Sequence, residues 1–185
     1  MADPISVPAD LPAFAPVSPL AAAPLGRFGA GEARAVLTAL PDPALTLVIA
    51  PPGAALQDLL HGLDLPAPAR TLGPDRALIA ELPDAAARAL SRRASLIAQT
   101  GARAAIALSG PGAETLLSNG IALDLHPAAF PPGRSAETLF GHIGLNLARL
   151  APARWEILVP ASYALALWEA LIEAGRSVGV EARRG

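Results

Sequence analysis

Short apolar runs, each ended by glycine or proline, organise the chain. Residues 45–50 (LTLVIA) and 77–82 (ALIAEL) predict two buried strands. Residues 54–63 (AALQDLLHGL) predict a helix, with Leu56, Leu59, Leu60 and Leu63 on one side. Residues 30–40 (AGEARAVLTAL) predict a short helix that Pro41 stops. Asp84, just after Pro83, is placed to cap a helix running to about Arg93, where Arg92 and Arg93 would meet its negative end. Residues 95–100 and 103–109 are apolar and separated by Gly101-Ala102, which predicts a β-hairpin.

Residues 113–118 predict a helix that Asn119-Gly120 ends. Residues 121–125 alternate and read as a strand, before a rigid loop built on Pro127, Pro131, Pro132 and Gly133. Ser135 is placed to cap a short helix. Residues 142–150 and 155–159 predict two strands joined by a turn at Ala151-Pro152-Ala153. Ser162 opens the clearest helix, running to about Gly175. Its polar residues Ser162, Glu169, Glu173 and Arg176 share one face, opposite Leu165, Trp168 and Ile172. Residues 178–182 predict a last edge strand. Mixed helices and antiparallel strand pairs give an α+β fold class: antiparallel sheets with packed helices.

The first 28 residues stand apart as a Pro-rich extended arm, and residues 29–185 form the α+β domain. Pro4, Pro8, Pro12, Pro16, Pro19 and Pro24 disfavour a helix or a central strand in the arm. Its apolar residues (Ile5, Val7, Leu11, Phe14, Val17 and Leu20) predict that it lies against its own domain or against a partner.

The 185 residues are 52% hydrophobic and 16% charged, with a net charge of −2. Lysine is absent, so all 14 basic residues are arginine, which we read as a genome bias. Without a basic stripe, and with 4% aromatics, the chain is not expected to bind nucleic acid. The absence of cysteine excludes disulfides, thiol catalysis and cysteine-ligated metal sites. Apolar runs such as Ala44–Ala50 are far shorter than the roughly 20 residues of a membrane span. Asp3, Asp10 and the prolines do not suit a secretory signal, so the expected location is the cytoplasm.

Few residues suggest chemistry. The glycines of Gly26–Arg34 (GRFGAGEAR) follow a Pro-rich arm and not a strand, so they lack the context of a dinucleotide turn. Ser109-Gly110-Pro111-Gly112 has no Lys for a phosphate loop and no nucleophile elbow, and reads as strand-to-helix punctuation. Asp124 and His126, two apart on the expected strand, would point the same way. They form either an acid–base or metal pair, or an Asp that orients a structural His. Arg134, in a stiff Pro-Pro-Gly-Arg loop, suits a carboxylate in this chain or across an interface. Trp155 and Trp168 read as core anchors or interface hot spots. No nucleophile has an evident base.

From Leu108 onward one pattern is more specific. It runs through Leu108-Ser109-Gly110-Pro111, Leu123-Asp124-Leu125-His126-Pro127, Phe130, Pro132-Gly133, Ala136 and Thr138. It continues in Ser162-Tyr163-Ala164 and Leu167-Trp168. This pattern resembles the gamma subunit family of heterotetrameric sarcosine oxidase, over about residues 70–175. The sequence departs from that family at Arg76-Ala77, where an acidic–aromatic pair would follow Leu72-Gly73-Pro74-Asp75. It departs also at Ile121 in place of Cys and at Ala161 in place of Arg.

The resemblance implies a fold similar to part of the aminomethyltransferase (glycine-cleavage T protein). It implies a small, non-flavin subunit with a structural role, not catalytic alone, within a complex that oxidises sarcosine to glycine. That complex passes the methyl carbon to tetrahydrofolate and electrons to oxygen. FAD, FMN, NAD, tetrahydrofolate and zinc would belong to partner subunits: larger alpha and beta subunits and a small delta subunit. No catalytic, cofactor or metal residue carries over to this chain. Asp124, His126, Phe130, Pro132, Gly133, Arg134 and Trp168 are the candidate interface or motif residues. Two alternatives stay open: the equivalent subunit of an N-methylglutamate or other N-methyl amino acid dehydrogenase, and a free-standing folate-binding module.

Overall fold

Strand alternation and two amphipathic helix pairs together dictate four layers. The computed structural model describes residues 17–185. The strands in chain order are β1 (Gly26–Phe28), β2 (Ala35–Ala39), β3 (Leu45–Ile49), β4 (Arg70–Thr71), β5 (Arg76–Ala80) and β6 (Ser95–Ala98). They continue as β7 (Arg103–Ser109), β8 (Ser135–Phe140), β9 (Ile143–Ala151), β10 (Arg154–Pro160) and β11 (Val180–Arg184). The helices are α1 (Leu56–Leu60), α2 (Asp84–Leu90), α3 (Ala113–Ser118) and α4 (Ala164–Ala174).

The described residues build a seven-stranded sheet in the order β1-β11-β2-β7-β10-β9-β8 and a four-stranded sheet in the order β4-β5-β3-β6. Successive side chains of a strand point to opposite faces. Ile106 and Leu108 of β7, Trp155 and Ile157 of β10, and Leu145 and Leu147 of β9 therefore share one face. They bury against Leu116 and Leu117 of α3 and Leu167, Trp168 and Leu171 of α4. On the other face, Ala105 and Leu158 meet Leu45 and Leu78 of the smaller sheet. That sheet's outer face, with Val48 and Ile79, is covered by Leu56 and Leu59 of α1 and Leu90 of α2. Each fully buried Leu or Ile contributes about 1.5–3 kcal/mol by leaving water. Among the described residues no helix is long and apolar enough to cross a membrane.

The α+β class holds, with one parallel pairing, β11 on β2, among otherwise antiparallel ladders. Several local expectations are corrected. Residues 35–39 form a strand and not a helix, because Ala35, Leu37 and Ala39 alternate inward between β11 and β7. The expected hairpin of residues 95–109 is split between sheets: β6 pairs with β3, whereas β7 pairs with β2 and β10. Residues 135–140 form β8 against β9, so Ser135 caps no helix. β11 is an interior strand and not an edge.

Helix ends also differ. Pro83 occupies the N-cap of α2, so Asp84 acts from inside the first turn, where its charge still complements the helix dipole. That helix stops at Leu90, before Arg92 and Arg93, and α1 spans only five residues. A 3₁₀ turn over Ala161–Tyr163 precedes α4, and Leu165 sits on its exposed side while Leu167 and Leu171 face the core.

The described part of the arm lies on the domain. Leu20 and Ala23 are buried in the main core, and Gly26–Phe28 pairs along β11 as an edge strand. Ile5, Val7, Leu11 and Phe14 lie outside the described residues.

Candidate functional site: a loop latched by Arg149

The proline-rich segment between α3 and β8 carries most of the candidate residues. Residues 121–125 are irregular here, correcting the expected strand, because the Asp124 carboxylate captures a local donor. Asp124 Oδ1 accepts the His126 backbone N–H at 2.9 Å. His126 Nδ1 in turn accepts the Ala128 N–H at 3.3 Å, and the His126 carbonyl accepts the N–H groups of Ala129 and Phe130 at 2.9 and 2.8 Å. These bonds make a turn of the kind Asp favours. The two side chains therefore serve the turn, and they do not form the acid–base pair that a strand would have made. Both residues are exposed, as are Pro132, Gly133 and Arg134. Among the described residues no three His, Asp or Glu side chains come together as a metal site would require.

Beneath the turn, aromatic rings and guanidinium groups stack. Arg134 lies 5.6 Å from the centre of the Phe130 ring and donates from Nη1 to the Ala129 carbonyl at 2.5 Å. Phe130 is buried and meets Trp155 at 5.8 Å between ring centres, tilted by 37°. The guanidinium of Arg149 lies over the Trp155 ring, 4.7 Å from its centre. Such cation–aromatic contacts are worth about 0.5–2 kcal/mol each, more when water is excluded.

Arg149 is the residue that fixes the loop. It lies in phase with Ile143, Leu145 and Leu147 on β9, so the strand drives it inward, and it is only 2% exposed. Its Nη1 donates to the carbonyls of Leu125 and Phe130 at 2.9 and 3.1 Å. Its Nη2 donates to the Pro152 carbonyl at 2.7 Å and to Glu114 Oε2 at 3.4 Å. The Gly133 N–H to Arg149 carbonyl bond at 2.7 Å and the Arg149 N–H to Arg134 carbonyl bond at 3.0 Å close the other end. Gly133 sits at φ +88°, a conformation glycine adopts without strain.

A second buried arginine joins the two sheets. Arg70 of β4 forms an ion pair with Glu156 of β10, and its Nη1 donates to Asn146 Oδ1 at 3.3 Å. Asn146 Nδ2 returns a bond to the Thr71 carbonyl at 3.2 Å. Burial lowers the Arg70 pKa from its usual value, and the charge and hydrogen bond of Glu156 work in the opposite direction. Between this pair and the loop lies a cleft of about 130 Å³. Small-molecule sites typically span about 300–1,000 Å³, so this cleft is too small for a flavin or a dinucleotide.

Trp168 stands apart from the loop. It is fully buried on α4, and its Nε1 donates to the Pro24 carbonyl at 2.9 Å, pinning the N-terminal segment to the domain. Thus Phe130, Pro132, Gly133, Arg134, Asp124 and His126 share one loop, while Trp168 belongs to the core. Sequence reasoning missed Arg149, Arg70, Glu156 and Asn146. The available signal was an Asn and an Arg inside the otherwise apolar strand IGLNLARLA.

Three comparisons place this architecture. The family model described as GCVT N-terminal domain matches residues 76–183. A chain of the heterotetrameric sarcosine oxidase from Corynebacterium sp. U-96, solved with pyrrole 2-carboxylate, superposes with a TM-score of 0.70 and 25% identity. That match covers 86% of this chain and 94% of the other. The glycine cleavage system aminomethyltransferase T from Bartonella henselae shares the fold, with a TM-score of 0.54 and 21% identity. Its match covers 82% of this chain and 48% of that one. No curated protein matches the chain in sequence.

Proposed function

The chain belongs to the GCVT N-terminal domain family, and from that premise we propose that it is the non-flavin, gamma-type subunit of a heterotetrameric sarcosine oxidase. The observation that carries this reading is one of extent. The similarity runs over nearly all of a chain from such an oxidase, but over about half of the aminomethyltransferase. A domain that matches nearly the whole of one chain of a heterotetrameric enzyme fits a component of an assembly.

The disposition of polar groups supports a structural role. Arg149 and Arg70 direct their donors to carbonyls and carboxylates of their own chain, and Asp124 and His126 are engaged in a turn. What remains outward is a stiff loop whose ordering carries little further entropic cost on binding. In this reading FAD, FMN, NAD, tetrahydrofolate and zinc reside in the alpha, beta and delta partners, and the complex works in the cytoplasm. The flavin subunits oxidise sarcosine, and this chain shapes the assembly in which they do so.

The likeness in fold to an aminomethyltransferase favours a second reading, a folate-binding module. Co-expression of the tagged chain with the flavoprotein subunits of its own locus distinguishes the two. A stoichiometric complex with flavin absorbance supports the subunit role. A stable monomer that binds a reduced folate at micromolar concentration supports the module and overturns the subunit role.

A further inference from the structure

The seven-stranded sheet is wider than the sheet that covers it, and strand register fixes what the uncovered part displays. Arg183, Thr38, Ala107 and Glu156 stand side by side across β11, β2, β7 and β10. The next row on the same face holds Glu181, Val36, Ser109 and Arg154. The corners of this patch are charged and its centre is small and half-buried. The small centre leaves a depression of about 500 Å³, with Leu40 and Leu150 at its rim.

The two acidic corners already have partners. Glu181 faces Arg27 at 4.0 Å, and Glu156 is held by Arg70. The two basic corners are different. Among the described residues no carboxylate pairs with Arg154 or Arg183. Arg183 Nε makes only a long contact of 3.4 Å to Thr38 Oγ1. The patch therefore presents two exposed, uncompensated guanidinium groups beside Leu150, an apolar side chain that is 45% exposed. Three strand spacings and two residues separate Arg154 from Arg183, about 16 Å between their Cα atoms. One carboxylate would reach both only by drawing both side chains inward over Thr38 and Ser109.

We propose that this depression receives an acidic segment of a partner subunit, whose two carboxylates meet Arg154 and Arg183 while an apolar residue packs on Leu150. The proposal rests on the subunit reading and deepens it. Arginine binds carboxylates through two parallel bonds, and covering the patch removes the water that weakens such pairs. Surface charges of this kind also speed encounter and make association salt-dependent.

The test uses the chain co-expressed with the flavoprotein subunits of its locus. The double reversal Arg154→Glu with Arg183→Glu is compared with a reversal of equal charge at Arg88 and Arg92, on the far side of the smaller sheet. The wild type and the Arg88/Arg92 variant are expected to copurify in equal ratio with their partners. The Arg154/Arg183 variant is expected to lose at least tenfold in copurified flavoprotein, with its own Tm within a few degrees of wild type. The neutral pair Arg154→Gln with Arg183→Gln is expected to fall between, and the wild-type complex is expected to weaken as salt rises. Undiminished copurification of the double reversal overturns the proposal while leaving the subunit reading intact. If the wild type itself captures no flavoprotein, the subunit reading fails and the proposal fails with it. If succinate or a reduced folate raises the wild-type Tm but not that of the double reversal, and assembly is unaffected by the reversal, the patch is a small-anion site and the proposal is overturned.

Discussion

The guanidinium of Arg149 lies 4.7 Å from the centre of the Trp155 ring, and from that position it reaches the carbonyls of Leu125 and Phe130. A strand residue thus sets the shape of a loop that lies 19 to 24 residues earlier in the chain. Replacing Arg149 with Met strands these buried acceptors, each costing about 1–3 kcal/mol. The expected loss is about 3 kcal/mol in urea unfolding, with faster proteolysis between residues 124 and 134. Arg149→Lys keeps the charge but not the fork, and is expected to lose about half as much.

The Arg70–Glu156 pair predicts a non-additive cycle. Glu156→Leu alone leaves a buried guanidinium without its carboxylate and is expected to destabilise by about 3 kcal/mol. Arg70→Met alone is expected to cost less, because the Glu156 side chain is 26% exposed and keeps some water. The double variant is expected to lie within about 1 kcal/mol of wild type, since the pair's attraction only offsets its desolvation. The pH dependence follows from the same burial. The Arg70 pKa is lowered in the fold, so the unfolded chain binds that proton more tightly and stability rises with pH through the window just below the unfolded value. That window is strongly alkaline. Arg70 is therefore expected to add no slope between pH 6 and 9, as unfolding titrations of wild type and Arg70→Met would show.

Trp168 binds the N-terminal segment through one hydrogen bond to the Pro24 carbonyl. Trp168→Phe keeps most of the buried ring and removes the donor. The expected cost is about 1 kcal/mol. Hydrogen exchange is expected to speed at the amides of Ala21 and Ala23, which bond within that segment.

The turn at Asp124 makes a contrasting case. His126 is exposed and bonded only to its own turn, so His126→Ala is expected to change stability by less than about 0.5 kcal/mol. Zinc is expected to leave the Tm of wild type and His126→Ala equal, as parallel thermal scans would show. Asp124→Ala removes the acceptor of the His126 N–H and is expected to cost about 1 kcal/mol.

These contrasts show what was legible in the residues. β3, β5, β9 and β10 stand out because short, mostly apolar runs bounded by turn residues have few other homes, and α4 because its polar face repeats with helical spacing. β2 does not, since Ala35, Val36, Leu37 and Ala39 suit helix and strand alike. Only pairing to β11 and β7 decides between them. The glycine at 101 marks a turn, but a turn between two sheets reads locally like a hairpin. Alternation along β9 points Arg149 inward, whereas nothing near Arg70 in sequence announces Glu156, which lies 86 residues away. The Pro-rich loop was visible as a loop, but the latch beneath it was a long-range fact.

Sarcosine-dependent oxygen uptake tests the central claim most directly. The purified chain alone is expected to show none, the full set of co-expressed subunits to show turnover, and the set lacking this chain to lose assembly and activity together. Turnover by the chain alone, or normal assembly and full activity of the others without it, would contradict the account.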